Sequence, residues 1–471
     1  MLMTSEKLSR KNWFVIILFC FVGGIAWNTE NMYFNTFMFN SVYAGASSSA
    51  IAGTMAPTTA ISRMVALSAV AAVVSTFIMG TLSDKLKNRK LFISVGYIAW
   101  GIITALFGFI TKENIARLFH LSDEVMILAG TVWFVIFMDI VMTFMGSASN
   151  DAAFQAWVTD VTSSSQRAVV ETVLSVVGTV SQFAVTGVGS FAQAGTLSYK
   201  AFFIGLGGIV SVCGVAGLFL INEPAHSPVI TEKKTSYFAD LLYGFRPSVI
   251  RNNPGLYLAL TAFGLAVVAF QVFFPYLLVY LQYVVIPDNG GISNIIRPSV
   301  IITALIVIGG IIASIVMLIK KSSEHKGLFL TVCAALMTLG LFLLSTSTNI
   351  HIMLIGVLPV VIGNSIIYIL LGAAVKDFIP EGKAGLFQGL RMIFTVMLPM
   401  VIGPVLGDIA CRNAALTYTD DSGTETIVPS KIMFLVAAIV CALALIPLFF
   451  LIKVGFKTDE QKEANEEGVK R

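Results

Sequence analysis

The chain is short of charge. Only 12% of its 471 residues are Asp, Glu, Lys or Arg, against 56% hydrophobic, and its mean hydropathy is +0.87, far from the roughly half-apolar, quarter-charged composition of soluble domains. That shortage excludes a water-soluble globular protein. Histidine is scarce too: His120, His226, His325 and His351 fall in loops or at the ends of apolar runs. None has catalytic or metal-ligand spacing and no phosphate-cradling glycine loop is present, so the sequence does not read as an enzyme and calls for no cofactor. The cysteines, Cys20, Cys213, Cys333, Cys411 and Cys441, lack CxxC or Cys/His spacing. They read as small hydrophobes rather than a disulfide framework or a metal site. The net charge of +4 gives no reason to invoke nucleic acid.

What is abundant is apolar runs of about 20 residues, each long enough to cross a hydrocarbon layer of about 30 Å. They fall near 12–42, 57–83, 91–110, 126–155, 168–192, 201–221, 255–286, 299–319, 327–346, 351–375, 384–411 and 431–453. The expectation is an all-α membrane protein of twelve transmembrane helices in two pseudo-symmetric six-helix halves. Residues 1–221 form the first half, 222–254 a cytoplasmic linker, 255–453 the second half and 454–471 a charged tail. The first run lacks a small-residue cleavage site and reads as a retained span. In the linker, Tyr237, Phe238, Leu241, Leu242 and Phe245 share one helical side, as in an interfacial helix.

Orientation follows from Lys and Arg. With the N-terminus inside, only Arg63, Lys112, Arg117, Lys200, Arg297, Arg412 and Lys431 of the 30 basic residues fall away from the cytoplasmic side. Both termini are therefore expected in the cytoplasm, with the protein in the plasma (cell inner) membrane as a monomer.

The chain also resembles itself at an offset of 217 residues. Gly146, Ala156, Val158 and Asp160 match Gly363, Ala373, Val375 and Asp377, Glu171 faces Gln388, and Arg167 corresponds to Lys383 after a one-residue slip. Both copies fall between the fourth and fifth spans of their half, as expected of duplicated transporter halves that rock about a central site. The loop "GTLSDKLKNRK" places Gly80, Asp84, Lys85, Arg89 and Lys90 as G-x3-D-[RK]-x3-[RK]-[RK]. It resembles the loop signature of the major facilitator superfamily, with Lys87 where that family has a second Gly. The resemblance implies that Asp84 and Arg89 hold a cytoplasmic gate, and that Asp160, Arg167, Glu171, Asp377, Lys383, Gln388 and Arg391 form cytoplasmic clusters that re-pair as the halves rock. Thr162 and Ser163–Ser165 supply an N-cap region for the fifth span.

"GIAWNTENMYFN", "NDAAFQAWVTDVT" and "VKDFIPEGKAGLFQGLRM" resemble the glycoside-pentoside-hexuronide:cation symporters and the sucrose-type carriers. On that resemblance Asp151 matches a sugar- and cation-contacting Asp of the melibiose-type members. The second-span carboxylates that bind sodium there are absent, Ala72 and Thr76 standing in their places, and Met400 stands where those carriers have an eleventh-span Lys. The pattern therefore implies a proton, with sodium second, as the coupling ion.

A charge at mid-bilayer costs about 2.5–3.5 kcal/mol even on the lenient insertion scale, so each must face protein or water. The candidates are Glu30, Arg63, Asp139, Asp151, Arg391 and Asp408. Asp139, Thr143, Gly146 and Asn150 follow helical spacing as one stripe. On the first span, Asn28, Asn31 and Asn35 share an arc facing the substrate, while Glu30 points about 100° away with Trp27 and Phe34. Glu30 is expected either to carry the coupling proton or to pair with Arg63. In the second half the polar candidates, Gln271, Asn364 and Tyr368, are neutral, and Pro275, Pro359, Pro399 and Pro404 mark kinks. The expected activity is proton-coupled uptake of a sugar or glycoside by alternating access; the alternative is proton-driven export of amphipathic compounds on the same fold.

Overall fold

The computed structural model describes residues 8–86, 88–162, 166–222, 244–292, 326–379, 389–419 and 423–455. Among them, ten helices are long and apolar enough to cross a membrane. They are the first span Arg10–Val42, second Pro57–Gly80, third Arg89–Phe109, fourth Glu124–Val161, sixth Tyr199–Leu220, seventh Pro254–Asp288, ninth Gly327–Thr346, tenth Ile350–Val375, eleventh Gly389–Ala414 and twelfth Ile432–Val454. The fifth position is filled by a 27-residue helix, Arg167–Gln193. The expected eighth span at 299–319 lies outside the described residues, as does nearly all of the expected interfacial helix; of its apolar side only Phe245 is described.

Polar residues set the boundaries. Ser9, Asn88, Asp123 and Ser198 each accept from a backbone N–H three residues on, capping the first, third, fourth and sixth spans, which satisfies donors that a helix start leaves unpaired. The fifth span departs from expectation: its cap position is Gln166, without a side-chain cap bond, and Thr162 instead donates back to the Val158 carbonyl. Between third and fourth spans, an amphipathic helix, Lys112–Phe119, is capped by Thr111 and stopped by His120 at φ 53. A small exception to an all-helical chain follows the eleventh span, where Thr417–Thr419 pairs with Glu425–Ile427. Thr and Tyr suit a strand, and Gly423 at φ +81 suits the turn.

The chain divides into two compact units, one of Met1–Lys233 with Thr419–Thr426, the other of Lys234–Tyr418 with Ile427–Arg471. Within the first, the third span packs on the sixth, the first on the fifth and sixth, and the fourth on the third. Within the second, the ninth packs on the twelfth, the seventh on the eleventh and twelfth, and the tenth on the ninth. Each pairing recurs six spans later, so the internal repeat extends from loop residues to helix packing. Small residues permit the close approaches: a Cβ on Gly101 would stand 2.4 Å from the Gly207 carbonyl, and one on Gly340 would stand 2.7 Å from the Gly356 carbonyl.

Several spans are not uniformly α-helical. π-helical segments occupy Thr29–Phe34 and Met38–Val42 in the first span, Ser147–Phe154 in the fourth, Leu281–Val285 in the seventh and Ile393–Met397 in the eleventh. Such segments concentrate at functional sites. Here two of them cover the polar stretches singled out in the sequence.

Candidate substrate and cation site

In the first unit, the first and fourth spans bring two carboxylates together. Glu30, 6% exposed, accepts from the Thr143 hydroxyl at 2.7 Å through Oε1. The Asp139 carboxylate, 1% exposed, lies one turn before Thr143 and within electrostatic reach of Glu30, with Ser68 of the second span beside it. Oε2 of Glu30 and Oδ1 of Asp139 are buried with no hydrogen-bond partner. No basic group of a described residue pairs with either.

The pair expected between Glu30 and Arg63 is therefore absent. Arg63 faces outward on the second span, with its guanidinium 5.9 Å from the Trp133 ring centroid. The reason is register: Ser62 and Ser68 turn inward from the second span, whereas Arg63, next to Ser62, turns out.

Beside the carboxylate pair lies a more accessible network. Ser147 donates to Asp151 Oδ2 at 3.1 Å, the Asn150 amide donates to Asp151 Oδ1 at 3.2 Å, and the Trp27 indole approaches the same carboxylate. Tyr97 of the third span donates to Asn150 Oδ1 at 2.8 Å and lies 3.0 Å from the Phe19 carbonyl. The ring of Trp27 stands 4.9 Å from that of Trp100. Gly146 makes the approach possible, since a Cβ there would meet Trp100 at 2.8 Å and Trp27 at 3.1 Å. Asp151 and Trp27 remain half-buried, so the network offers a carboxylate and an indole face to a solute.

The asparagines behave differently from expectation. Asn28, Asn31 and Asn35 donate to the carbonyls of Gly24, Trp27 and Asn31, each four residues back. Such side-chain bonds to a carbonyl four residues back are a local alternative for Asn within a helix. The Asn28 amide also reaches the Ser181 hydroxyl of the fifth span at 3.5 Å, and Asn35 Oδ1 is buried without a partner. Tyr97 and Trp100 escape the sequence reading because neither interrupts an apolar run, and Ser147 because small hydroxyl residues are common at helix contacts in membranes. The available signal was indirect: Gly23 and Gly146 face Tyr97 and Trp100 respectively.

In the second unit, Gln271 is half-buried where Gly403 lets the seventh and eleventh spans close together. Asn364 Oδ1 is buried without a partner. Tyr368, 43% exposed, packs edge-on against Phe263 at 4.9 Å, and Arg391 is half-buried. Pro275 falls in a short 3-10 break, Phe274–Tyr276, and the Tyr276 hydroxyl donates to the Pro404 carbonyl at 2.7 Å.

Of the loop motif, Gly80, Arg89 and Lys90 are described. Arg89 pairs with Asp160 at 2.9 Å and donates to Ser83 at 2.8 Å. That contact ties the start of the third span to the end of the fourth within one unit. The side chains of Asp84, Lys85, Arg167, Glu171 and Asp377, and the whole of Lys383 and Gln388, lie outside the described residues.

The model of the Major Facilitator Superfamily matches residues 29–404. The chain belongs to the Major Facilitator Superfamily. It is a multi-pass membrane transporter and not an enzyme. No curated protein matches it. Solved structures of the same fold include the nucleoside transporter NupG, with TM-score 0.58, 13% identity and coverage of 94% of this chain and 99% of that one. Another is a bacterial homologue of the human lysosomal transporter Spinster in an inward-facing, unoccupied conformation, with TM-score 0.55, 11% identity and coverage of 94% and 95%. A third is a variant of the E. coli fucose:proton symporter FucP, with TM-score 0.55, 14% identity and coverage of 94% and 99%.

Proposed function

We propose that this superfamily member takes up a sugar or glycoside together with a proton by alternating access, in the manner of the glycoside-pentoside-hexuronide:cation symporters it resembles. One observation carries the reading: Glu30 and Asp139 are buried side by side, each with an unpartnered oxygen and neither paired with a described cation. Two such carboxylates in an apolar bundle need a positive charge between them, and a proton or sodium ion supplies it. Occupation and release of that charge give the site two states. The neighbouring Trp27 and Asp151, both half-buried, supply an aromatic face and a hydroxyl-accepting carboxylate, groups that a sugar ring engages. The fold neighbours named as a nucleoside transporter and a fucose:proton symporter agree with a hydroxyl-bearing substrate.

The test is uptake of a labelled sugar, glycoside and nucleoside panel by the purified protein in liposomes, under a pH gradient and separately under a sodium gradient. Saturable, pH-driven accumulation is expected. Absence of saturable uptake under both gradients overturns the proposal, and accumulation only with the gradient reversed establishes export instead.

A further inference from the structure

Arg63 poses a question that the carboxylate pair does not answer. It lies six residues into the second span, about 9 Å along the axis from Pro57, on the exposed side of a membrane-length helix. It makes no ion pair with a described residue; it lies over the face of Trp133 and within electrostatic reach of the Tyr43 hydroxyl. A guanidinium at that depth needs water or an anion. Its stem is long enough to bring the charge to headgroup level while the carbon chain stays in the apolar layer.

Trp133 also lines an open apolar groove of about 740 Å³ between the Lys112–Phe119 helix and the fourth span. The volume lies within the roughly 300–1,000 Å³ typical of ligand pockets. Its floor is a stripe of the fourth span, Met126, Gly130, Trp133 and Phe137, and its overhang is Phe119 and Leu121. The overhang is held close because Gly130 has no side chain: a Cβ there would meet Leu121 at 3.2 Å. Met126, Trp133 and Phe137 are 61%, 47% and 57% exposed, so the groove opens to the surroundings of the helix rather than to the interior of the unit. Trp133 belongs to both features: the Arg63 guanidinium lies over its ring and its side chain lines the groove.

We propose that this face binds one phospholipid with a net-negative headgroup, its phosphodiester on Arg63 and an acyl chain in the groove under the Lys112–Phe119 helix. Charge complementarity selects the headgroup, since guanidinium–phosphate contacts are charge-assisted and bidentate. The groove accounts for retention of a chain that bulk lipid would exchange. The site is separate from Glu30 and Asp139, so the proposal stands or falls independently of the coupling mechanism.

The experiment is native mass spectrometry of the purified full chain titrated with phosphatidylglycerol, and with diacylglycerol of the same acyl chains as the headless control. One tightly held phosphatidylglycerol per chain is expected, with diacylglycerol held weakly. Arg63→Gln should weaken retention roughly tenfold, the loss of one charge-assisted contact, and Arg63→Lys should restore part of it. Ala129→Trp, which fills the groove, should lower retention of both lipids, with monodispersity and thermal unfolding as folding controls. Equal binding of the two lipids, or Arg63→Gln binding as the parent does, overturns the proposal and leaves an ordinary lipid-facing surface. Displacement by inorganic phosphate alone, or a chain dimer that forms only when the groove is free, likewise overturns it.

Discussion

The two units solve the same electrostatic problem in opposite ways. In the second, Asp408 is 4% exposed and Arg412, one turn later on the same helix, pairs with it at 3.1 Å while reaching outward with nearly half its side chain exposed. In the first, Glu30 and Asp139 are equally buried but lie on different spans, with Thr143 donating to Glu30 and no paired cation among the described residues. A carboxylate neutralised by its own helix is a fixed structural element. A carboxylate pair without a built-in cation is the arrangement on which the proposed proton coupling rests. Burial alone therefore does not separate the two cases; the source of the counter-charge does.

The largest expected break in that comparison comes from neutralising one member of the first-unit pair. Glu30→Gln or Asp139→Asn should abolish gradient-driven accumulation yet preserve counterflow exchange in liposomes; if accumulation persists, the pair is structural. Removing the counter-charge in the second unit should act on stability instead. Arg412→Gln leaves a buried carboxylate short of a partner and should cost about 1–3 kcal/mol, read as a lower unfolding midpoint with substrate affinity unchanged. Gly146→Val drives a Cβ into Trp100 and Trp27, an overpacking of about 1–3 kcal/mol. It should also weaken substrate binding, because it shifts the indole beside Asp151, and a binding constant equal to the parent's would remove Trp27 from the site.

The smallest effect concerns a charge outside both bundles. Glu113, in the first turn of the Lys112–Phe119 helix, is held below its ordinary value of 4.5 by its own backbone N–H and by the Thr111 hydroxyl, with burial opposing weakly. Its contribution is therefore present above the unfolded value and fades as pH falls through the folded one. Amide exchange in this helix should quicken slightly below pH 4.5 relative to the intrinsic rate, and Glu113→Gln should flatten that dependence.

Much of the architecture was legible because lipid imposes a strict rule: long apolar runs must be helices with every backbone group satisfied internally. The repeat of Gly146 and Asp160 at Gly363 and Asp377 likewise anticipated helix pairings that recur six spans later. Site geometry was less legible. A regular 3.6-residue turn places Asn28, Asn31 and Asn35 on one arc, but each amide donates back to a carbonyl four residues earlier in its own chain. The Glu30–Arg63 pair looked sound by depth and failed by direction, since adjacent helix residues point about 100° apart and Arg63 took the outward side.

Composition, run length and spacing alone thus determined that this chain crosses a membrane many times, is built by duplication and carries few intramembrane charges, because the cost of burying charge acts at the level of sequence. Tertiary structure decided which of those charges meet. Asp139 reaches Glu30, and Asp151 reaches Trp27, only through the packing of the fourth span on the first, which one-dimensional distance does not encode.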